Sequence, residues 1–484
     1  VTATSTTSTV AEATAAAAAA APALAATSDV DRARFLAAIA DAIDAAAVEL
    51  VSIAQRETHL PEARLTGEVA RTTAQLRMFA RVIVDGAYLE ATIDHPNSEA
   101  VPPNPDLRRV LKPIGPVGVF SASNFPFAFS VAGGDTASAL AVGCPVVVKA
   151  HSGHTELSRR TAEIVSAALE AAGAPAGSFS LVEGRQAGTD LVQDRNIKAV
   201  GFTGSLSGGR ALFDLASSRP DPIPFYGELG SINPVVITEA AALAGAQKLA
   251  TGLVGSFTLG VGQFCTKPGV VLFPAGTGFE DAVVAAFAEA RGGEMLTERI
   301  AEAYPAGLQK LAAEGNVKVL AGEVDQDPDR PAEPVVLLTT AAAVAADPQT
   351  LLEECFGPVT LLVAYHDTAE RDAALDVIEG SLTATLHAAE GEHLADLAER
   401  LAARAGRVLF GGWPTGVAVT WSQQHGGPWP ATTSIHTSVG ATAGRRFQRP
   451  VTYQDAPESV LPEALREQNT LGIWRRIDGE LGRH

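Results

Sequence analysis

The sequence predicts an α/β fold built from two sections of mostly parallel sheet with a small β appendage, on three observations. Between Gly115 and Thr203, short β-rich runs alternate with longer Ala/Leu-rich helical patterns. A comparable α/β section runs from about 225 to 420. A proline-punctuated stretch between Tyr88 and Pro113 is flanked by strand-like segments, which marks a hairpin leaving the main body. The chain has 484 residues, 46% hydrophobic and 19% charged. At about 150 residues per domain this length suits roughly three units, and the composition excludes disorder for the bulk.

In order along the chain, the alanine run Ala15 to Ala21 predicts a surface helix over about 9–21, ended by Pro22, behind a frayed Thr/Ser tail. It does not read as an export signal, because no basic residue precedes Arg32. From Asp29, Phe35, Leu36, Ile39, Ile43 and Val48 mark one apolar helical face, and a second helix is expected over about 62–84. Leu89–Ile93 and Leu107–Lys112 supply the hairpin. Strands are expected at Val117–Phe120, Val146–Lys149, Ser180–Val182 and Ala199–Thr203, with helices at 128–142, 155–172 and about 186–193. Elements of these lengths imply right-handed crossovers and a parallel sheet covered on both faces, with ligands at the carboxyl ends of its strands. Pro234–Ile237 and a helix at 240–256 open the second section.

Charge and cysteine content narrow the class. With 36 Lys+Arg against 55 Asp+Glu the net charge is −19, which argues against nucleic-acid and anionic-membrane partners. No segment reads as membrane-spanning. Cys144, Cys265 and Cys355 are far apart, form no C-x-x-C, and fit a reducing cytoplasm. His151 and His154 lack a companion ligand pattern, so no metal site is expected.

Three segments carry candidate chemistry. Ser123-Asn124-Phe125-Pro126 sets a polar Asn at the mouth of the sheet, either as a turn residue or as a hydrogen-bond donor. Phe202-Thr203-Gly204-Ser205, between strand and helix, makes either a plain N-cap or an anion site, without the G-x-G-x-x-G fingerprint. Gln263-Phe264-Cys265-Thr266-Lys267 follows a Gly-rich approach, so Cys265 is either buried filler or a thiol whose pKa is lowered by its surroundings. Glu228, in Gly227-Glu228-Leu229-Gly230, is either a surface or N-cap residue or a candidate base whose pKa burial would raise. Cys144 and Cys355 sit among apolar neighbours and read as inert core.

Taken together, these segments resemble the aldehyde dehydrogenase superfamily across nearly the whole chain. Asn124-Phe125-Pro126, Val148-Lys149, Phe202-Thr203-Gly204-Ser205, Glu228-Leu229-Gly230 with Asn233-Pro234, Gln263-Phe264-Cys265 and Glu353-Glu354-Cys355-Phe356-Gly357-Pro358 look like its motifs in order and spacing. Pro224 to Pro234 and His425-Gly426-Gly427-Pro428-Trp429-Pro430-Ala431-Thr432 look like the branch holding α-ketoglutarate semialdehyde (2,5-dioxopentanoate) dehydrogenases and NADP-dependent fatty-aldehyde dehydrogenases. Ala418 and Trp429 depart from that branch near the expected substrate tunnel.

The resemblance implies a Rossmann-like cofactor domain (1–87 and 114–224), a catalytic domain (225–420), an oligomerisation hairpin and tail (88–113 and 446–484) and a substrate-side loop (421–445), in a homodimer or homotetramer. It implies Cys265 as nucleophile, Glu228 as base and Asn124 as oxyanion donor. Lys149, Ser152, Arg185, Gly204, Ser205, Glu354 and Phe356 would bind the cofactor. Ser152, three residues after Lys149, replaces the glutamate common in NAD-preferring relatives, so NADP is expected with NAD also accepted. The substrate expected is a small semialdehyde, with Arg445 or Arg446 as its cation. A broad aliphatic aldehyde dehydrogenase and a cofactor-independent thiol hydrolase or acyltransferase are the alternatives.

Overall fold

The computed structural model describes residues 8–483 and contains three sheets. The first holds Phe179–Val182, Val146–Lys149, Val117–Phe120, Ala199–Thr203 and Phe225–Glu228 in that spatial order, all parallel. Strand order reverses between Val117–Phe120 and Ala199–Thr203, and the crevice of such a sheet opens there. These strands are Val-rich and buried on both faces, as crossover helices on each side require.

The second sheet has seven strands in the order Lys318–Ala321, Val335–Thr340, Val359–Tyr365, Val270–Pro274, Val235–Ile237, Ser381–His387 and Ala405–Phe410. Only the pairing of Lys318–Ala321 is antiparallel. The third sheet joins Gln448–Gln454, Leu107–Pro113 and Thr92–Asp94 to the C-terminal strands Arg475–Ile477 and Glu480–Gly482. The expected hairpin and tail therefore form one unit, closed over Ile93, Val110, Leu465 and Ile473.

Several expectations need correction. The first helix runs Val10–Ala26 with Pro22 inside it. Thr9 and Glu12 form a reciprocal cap, and Ala13, Ala17, Ala20 and Leu24 are buried, so packing carries the helix past the hydrogen bond that proline cannot donate. It is not a surface helix, since it packs on the Phe179–Val182 strand. Of the Thr/Ser tail, residues 1–7 lie outside the described residues.

The helix expected at 128–142 shrinks to Gly134–Ala141. Ahead of it, the backbone N–H groups of Phe127 and Ala128 donate to Glu68, and Ala122 N–H donates to Phe129 O, which locks turns in place of a helical ladder. The first boundary also moves. Phe225–Glu228, placed by sequence in the second unit, pairs in parallel with Ala199–Thr203 and completes the first sheet.

Candidate active site

Cys265 lies just beyond a tight turn, Leu259–Gly262, where Gly260 (φ 57°), Val261 (φ 58°) and Gly262 (φ 65°) are all left-handed. A Cβ on Gly262 would stand 2.2 Å from Gly357 O, so the close approach of the two loops requires glycine. Val261 has no such licence; a β-branched residue there stores strain beside Cys265. Asn233 (φ 51°) ties the segment down, its Nδ2 donating to Cys265 O (2.8 Å) and Lys267 O (2.9 Å).

Glu228 ends the last strand of the first sheet and is 3% exposed. His425 Nε2 lies 3.0 Å from its Oε1, and Ser438 Oγ donates to Oε2 at 2.9 Å. The same His425 nitrogen is 3.8 Å from Cys265 Sγ. Three ligand-type atoms of Glu228, Cys265 and His425 thus lie within 4.8 Å of one another. Asn124 is buried, and its Nδ2 donates to Gln263 O at 3.1 Å, so the amide borders the cysteine turn.

The electrostatics differ from two expectations. Burial pushes the Cys265 thiol well above the ordinary cysteine range, and the Glu228 carboxylate beside it pushes further. Lys267 does not activate it. Its Nζ donates to Cys355 O (2.8 Å) and Val359 O (2.9 Å), holding the loop of Glu353–Pro358. For Glu228, burial raises the pKa, but the His425 charge and hydrogen bonds from His425, Ser438 and Cys265 together outweigh it, and the net shift is downward. The carboxylate is therefore ionised and the thiol protonated at rest.

The expected cofactor residues collect at the carboxyl ends of the first sheet. Lys149 ends its strand, with its pKa lowered by burial. Ser152 and Arg185 are exposed, three residues beyond Lys149 and Val182, which are register partners in adjacent strands. Ser205 is the N-cap of the helix Leu206–Ser217, accepting from Gly208 N–H. The N-cap reading is thus right, and it leaves the helix's positive end and exposed Gly204 open to an anion. Glu354 reaches across so that its Oε2 would lie 2.7 Å from a Cβ on Gly230, and burial raises its pKa to about 7. Phe356 follows it, partly buried.

These groups fit a dinucleotide. A helix N-terminus suits the pyrophosphate, and a carboxylate and a lysine flank the crevice.

Other side chains are committed elsewhere. His154 binds Ala122 O and Ser158. Cys144 and Cys355 are buried, and burial raises both thiols to about 11. Arg446 is buried in an ion pair with Asp135 (2.6 Å), and Arg445 pairs with Glu90, so neither is free to bind substrate. Sequence reasoning quoted His425 only within a motif and did not assign it a role. Its partner is 197 residues away, and no local spacing signals that contact. Ser438 carried no signal at all.

Residues 1–429 match the model of the aldehyde dehydrogenase family. The chain is similar to alpha-ketoglutaric semialdehyde dehydrogenase 2 of Azospirillum brasilense, 50% identical over 459 residues covering 93% of this chain and 87% of that protein. It is also similar to alpha-ketoglutaric semialdehyde dehydrogenase of Acinetobacter baylyi, 41% identical with 94% and 88% coverage. Its fold is similar to an NAD-dependent aldehyde dehydrogenase from Sinorhizobium meliloti (TM-score 0.77, 24% identity, 93% of this chain and 87% of that one). It is likewise similar to an NADP-dependent glyceraldehyde-3-phosphate dehydrogenase from Bacillus halodurans complexed with NADP (TM-score 0.78, 20% identity, 92% and 91%).

Proposed function

The chain belongs to the aldehyde dehydrogenase family, and on that premise we propose that it oxidises α-ketoglutarate semialdehyde (2,5-dioxopentanoate) to 2-oxoglutarate with NADP, NAD also being accepted. The observation that carries the chemistry is the meeting of Cys265, Glu228 and His425 beside the crevice of the first sheet. The substrate follows from the relatives at 50% and 41% identity.

An aldehyde carbonyl has no negative charge with which to expel hydride. Addition of a thiolate supplies one. In this reading Glu228 takes the thiol proton, and Cys265 Sγ then adds to the carbonyl carbon to give a thiohemiacetal oxyanion. Asn124 Nδ2 and the Cys265 backbone N–H hold that oxygen; losing one such donor costs about 2.7–4 kcal/mol. Collapse of that oxyanion would expel hydride, for which a bound nicotinamide would supply the acceptor. Cys265 is left as a thioester; Glu228 passes the thiol proton to solvent and then, poised by His425 and Ser438, removes a proton from water to hydrolyse the thioester, returning that proton to the departing thiolate to restore the thiol. Lys149 and Glu354 would hold the ribose hydroxyls, with Phe356 setting the ring position and Gly204 and Ser205 at the pyrophosphate. Ser152 and Arg185 would meet the 2′-phosphate, one as a neutral donor and the other as a cation.

The same three side chains would suit a thiol hydrolase, but family membership favours the oxidoreductase, as does a dinucleotide cradle that a hydrolase has no use for. The third sheet, with strands Gln448–Gln454 and Glu480–Gly482 at its edges, is the proposed contact of a homodimer or homotetramer. No helix among the described residues is long and apolar enough to cross a membrane, and free thiols suit the cytoplasm. The deciding assay is reduced-nicotinamide formation with NAD and NADP across the semialdehyde, short aliphatic and long-chain aldehydes. A long-chain aldehyde with much higher kcat/KM than the semialdehyde would reject the substrate.

A further inference from the structure

Helix Glu62–Asp85 runs beside the active site, and Arg64, Glu68 and Arg71 share one of its faces at spacings of four and three. Two of these side chains have evident structural work. Glu68 Oε1 accepts the backbone N–H groups of Phe127 (2.8 Å) and Ala128 (3.0 Å), and Arg64 Nη2 donates to Asn124 O at 2.6 Å. Both therefore pin the loop that carries Asn124.

Arg71 pins nothing. Its Nε and Nη2 are buried without a hydrogen-bond partner among the described residues. Its guanidinium lies over the rings of Phe125 (5.6 Å) and Phe129 (5.2 Å). Phe129 in turn lies 6.2 Å from the His425 ring, and Phe125 packs on Phe264, the residue before Cys265. Glu228 lies close enough to oppose the lowering of the Arg71 pKa by burial, whereas Glu68 is the acidic group that acts on Arg64. Through these two rings Arg71 is tied both to His425 and to the residue before Cys265. Other nearby cations are wholly or partly committed: Lys267 to two carbonyls, Arg445 and Arg446 to carboxylates, Arg407 to Gly416 O and Pro414 O with only Nε left over, and Arg64 to Asn124 O with only Nη1 left over.

A guanidinium held flat on aromatic rings with unused N–H groups is built for a planar anion, which it grips through two parallel hydrogen bonds. An uncharged aldehyde leaves those buried donors unpaired; an ω-oxo acid satisfies them while its aldehyde end reaches Cys265. We propose that Arg71 is the specificity-determining residue of this enzyme and binds the carboxylate at the far end of a short oxo-acid substrate. The inference rests on the substrate reading above and assigns the residue that enforces it.

The test compares native enzyme, Arg71→Gln and Arg71→Lys on α-ketoglutarate semialdehyde and on pentanal, which has the same chain length without the acid. The ratio of their kcat/KM values is expected to fall about 100-fold in Arg71→Gln, about 2.8 kcal/mol at 1.4 kcal/mol per tenfold, chiefly through KM for the oxo acid. Arg71→Lys keeps the charge but loses the fork, and should fall between. As a separate readout, 2-oxoglutarate should compete with pentanal in the native enzyme and lose at least about tenfold in affinity in Arg71→Gln. A native preference for the oxo acid that survives Arg71→Gln overturns the role of Arg71 alone. A native preference for pentanal rejects the substrate reading, and if 2-oxoglutarate then inhibits native and Arg71→Gln enzymes equally, Arg71 is not an anion site either. Dinucleotide binding checks that each variant is folded.

Discussion

Glu228 and His425, 197 residues apart in the chain, meet at 3.0 Å with their side chains 2% and 1% exposed. A carboxylate only accepts, so Nε2 carries the proton in this contact, leaving Nδ1 as a buried nitrogen without a partner. His425 offsets the burial that would otherwise keep Glu228 protonated. The resting site is an ionised base held against a neutral thiol.

That resting state has a measurable sign. Burial and the charge of Glu228 both raise the Cys265 pKa, so the thiolate fraction at neutral pH is small and grows with pH. Alkylation by iodoacetamide of the enzyme without nucleotide should be slow at pH 7 and accelerate as pH rises. Glu228→Gln removes the largest raising cause after burial, so its alkylation profile should move to lower pH while steady-state turnover falls. A profile unchanged or moved upward in that variant would contradict the pairing. Cys265→Ala should abolish both alkylation at this site and aldehyde oxidation.

Replacing His425 separates the base from its support. His425→Gln should reduce kcat by about 10²–10³-fold, within the range for groups that assist proton transfer, and lift the acid limb of the pH–rate profile. With His425 gone, burial prevails and Glu228 must be ionised at higher pH. A pH–rate profile that keeps its acid limb in place would leave His425 with a packing role only.

How much of this was legible in the sequence depends on range. Strands such as Val117–Phe120 and Val146–Lys149 were readable because a strand buried on both faces is a run of β-branched residues, and Cys265, Glu228 and Asn124 because each sits in a motif of local spacing. The fate of Lys267 was not readable. Two residues from the nucleophile it looks like an activator, yet its carbonyl acceptors come from residues 355 and 359, on the far side of the second sheet's crossover. The helix lost from 128–133 is the same lesson: Ala-rich periodicity was outweighed by one glutamate, Glu68, some sixty residues upstream.

The proposed ribose contact of Glu354 makes a pH-dependent cofactor interaction the expectation. Its pKa is raised to about 7, first by burial, with Lys267 opposing, so it is protonated below that value and ionised above it. If the ionised carboxylate accepts the ribose hydroxyls, KM for the dinucleotide should fall as pH rises from 6 to 8. In Glu354→Gln the KM should be higher and flat over the same range. A native KM indifferent to pH would remove Glu354 from the ribose.

Arg446 and Asp135 bear on stability rather than chemistry. Arg446 is 2% exposed, donates to Asp135 Oδ1 and Ala443 O, and stacks on Phe447. Arg446→Met strands a buried carboxylate and should cost about 3–5 kcal/mol in urea unfolding. Adding Asp135→Asn should recover part of that loss, since the stranded charge is then gone. A double variant no more stable than the single would place the cost in packing.

In the proposed reading the choice of dinucleotide turns on Ser152. It lies exposed three residues beyond Lys149, while Arg185 lies exposed three beyond Val182, and Lys149 and Val182 pair across adjacent strands. The two side chains therefore rise from neighbouring strand ends. A hydroxyl there donates to a 2′-phosphate without repelling it, and the arginine adds a cation. A glutamate at the same place would accept from the free 2′- and 3′-hydroxyls of NAD and repel the phosphate. The native enzyme should thus use NADP at least as well as NAD, and Ser152→Glu should turn the kcat/KM ratio toward NAD by about tenfold or more, which is about 1.4 kcal/mol. Arg185→Ala should weaken NADP while sparing NAD, because only the former has the charge it meets. A native preference for NAD above about tenfold would refute the assignment. So would a ratio unmoved by the glutamate, which would mean that the 2′ position lies away from Ser152.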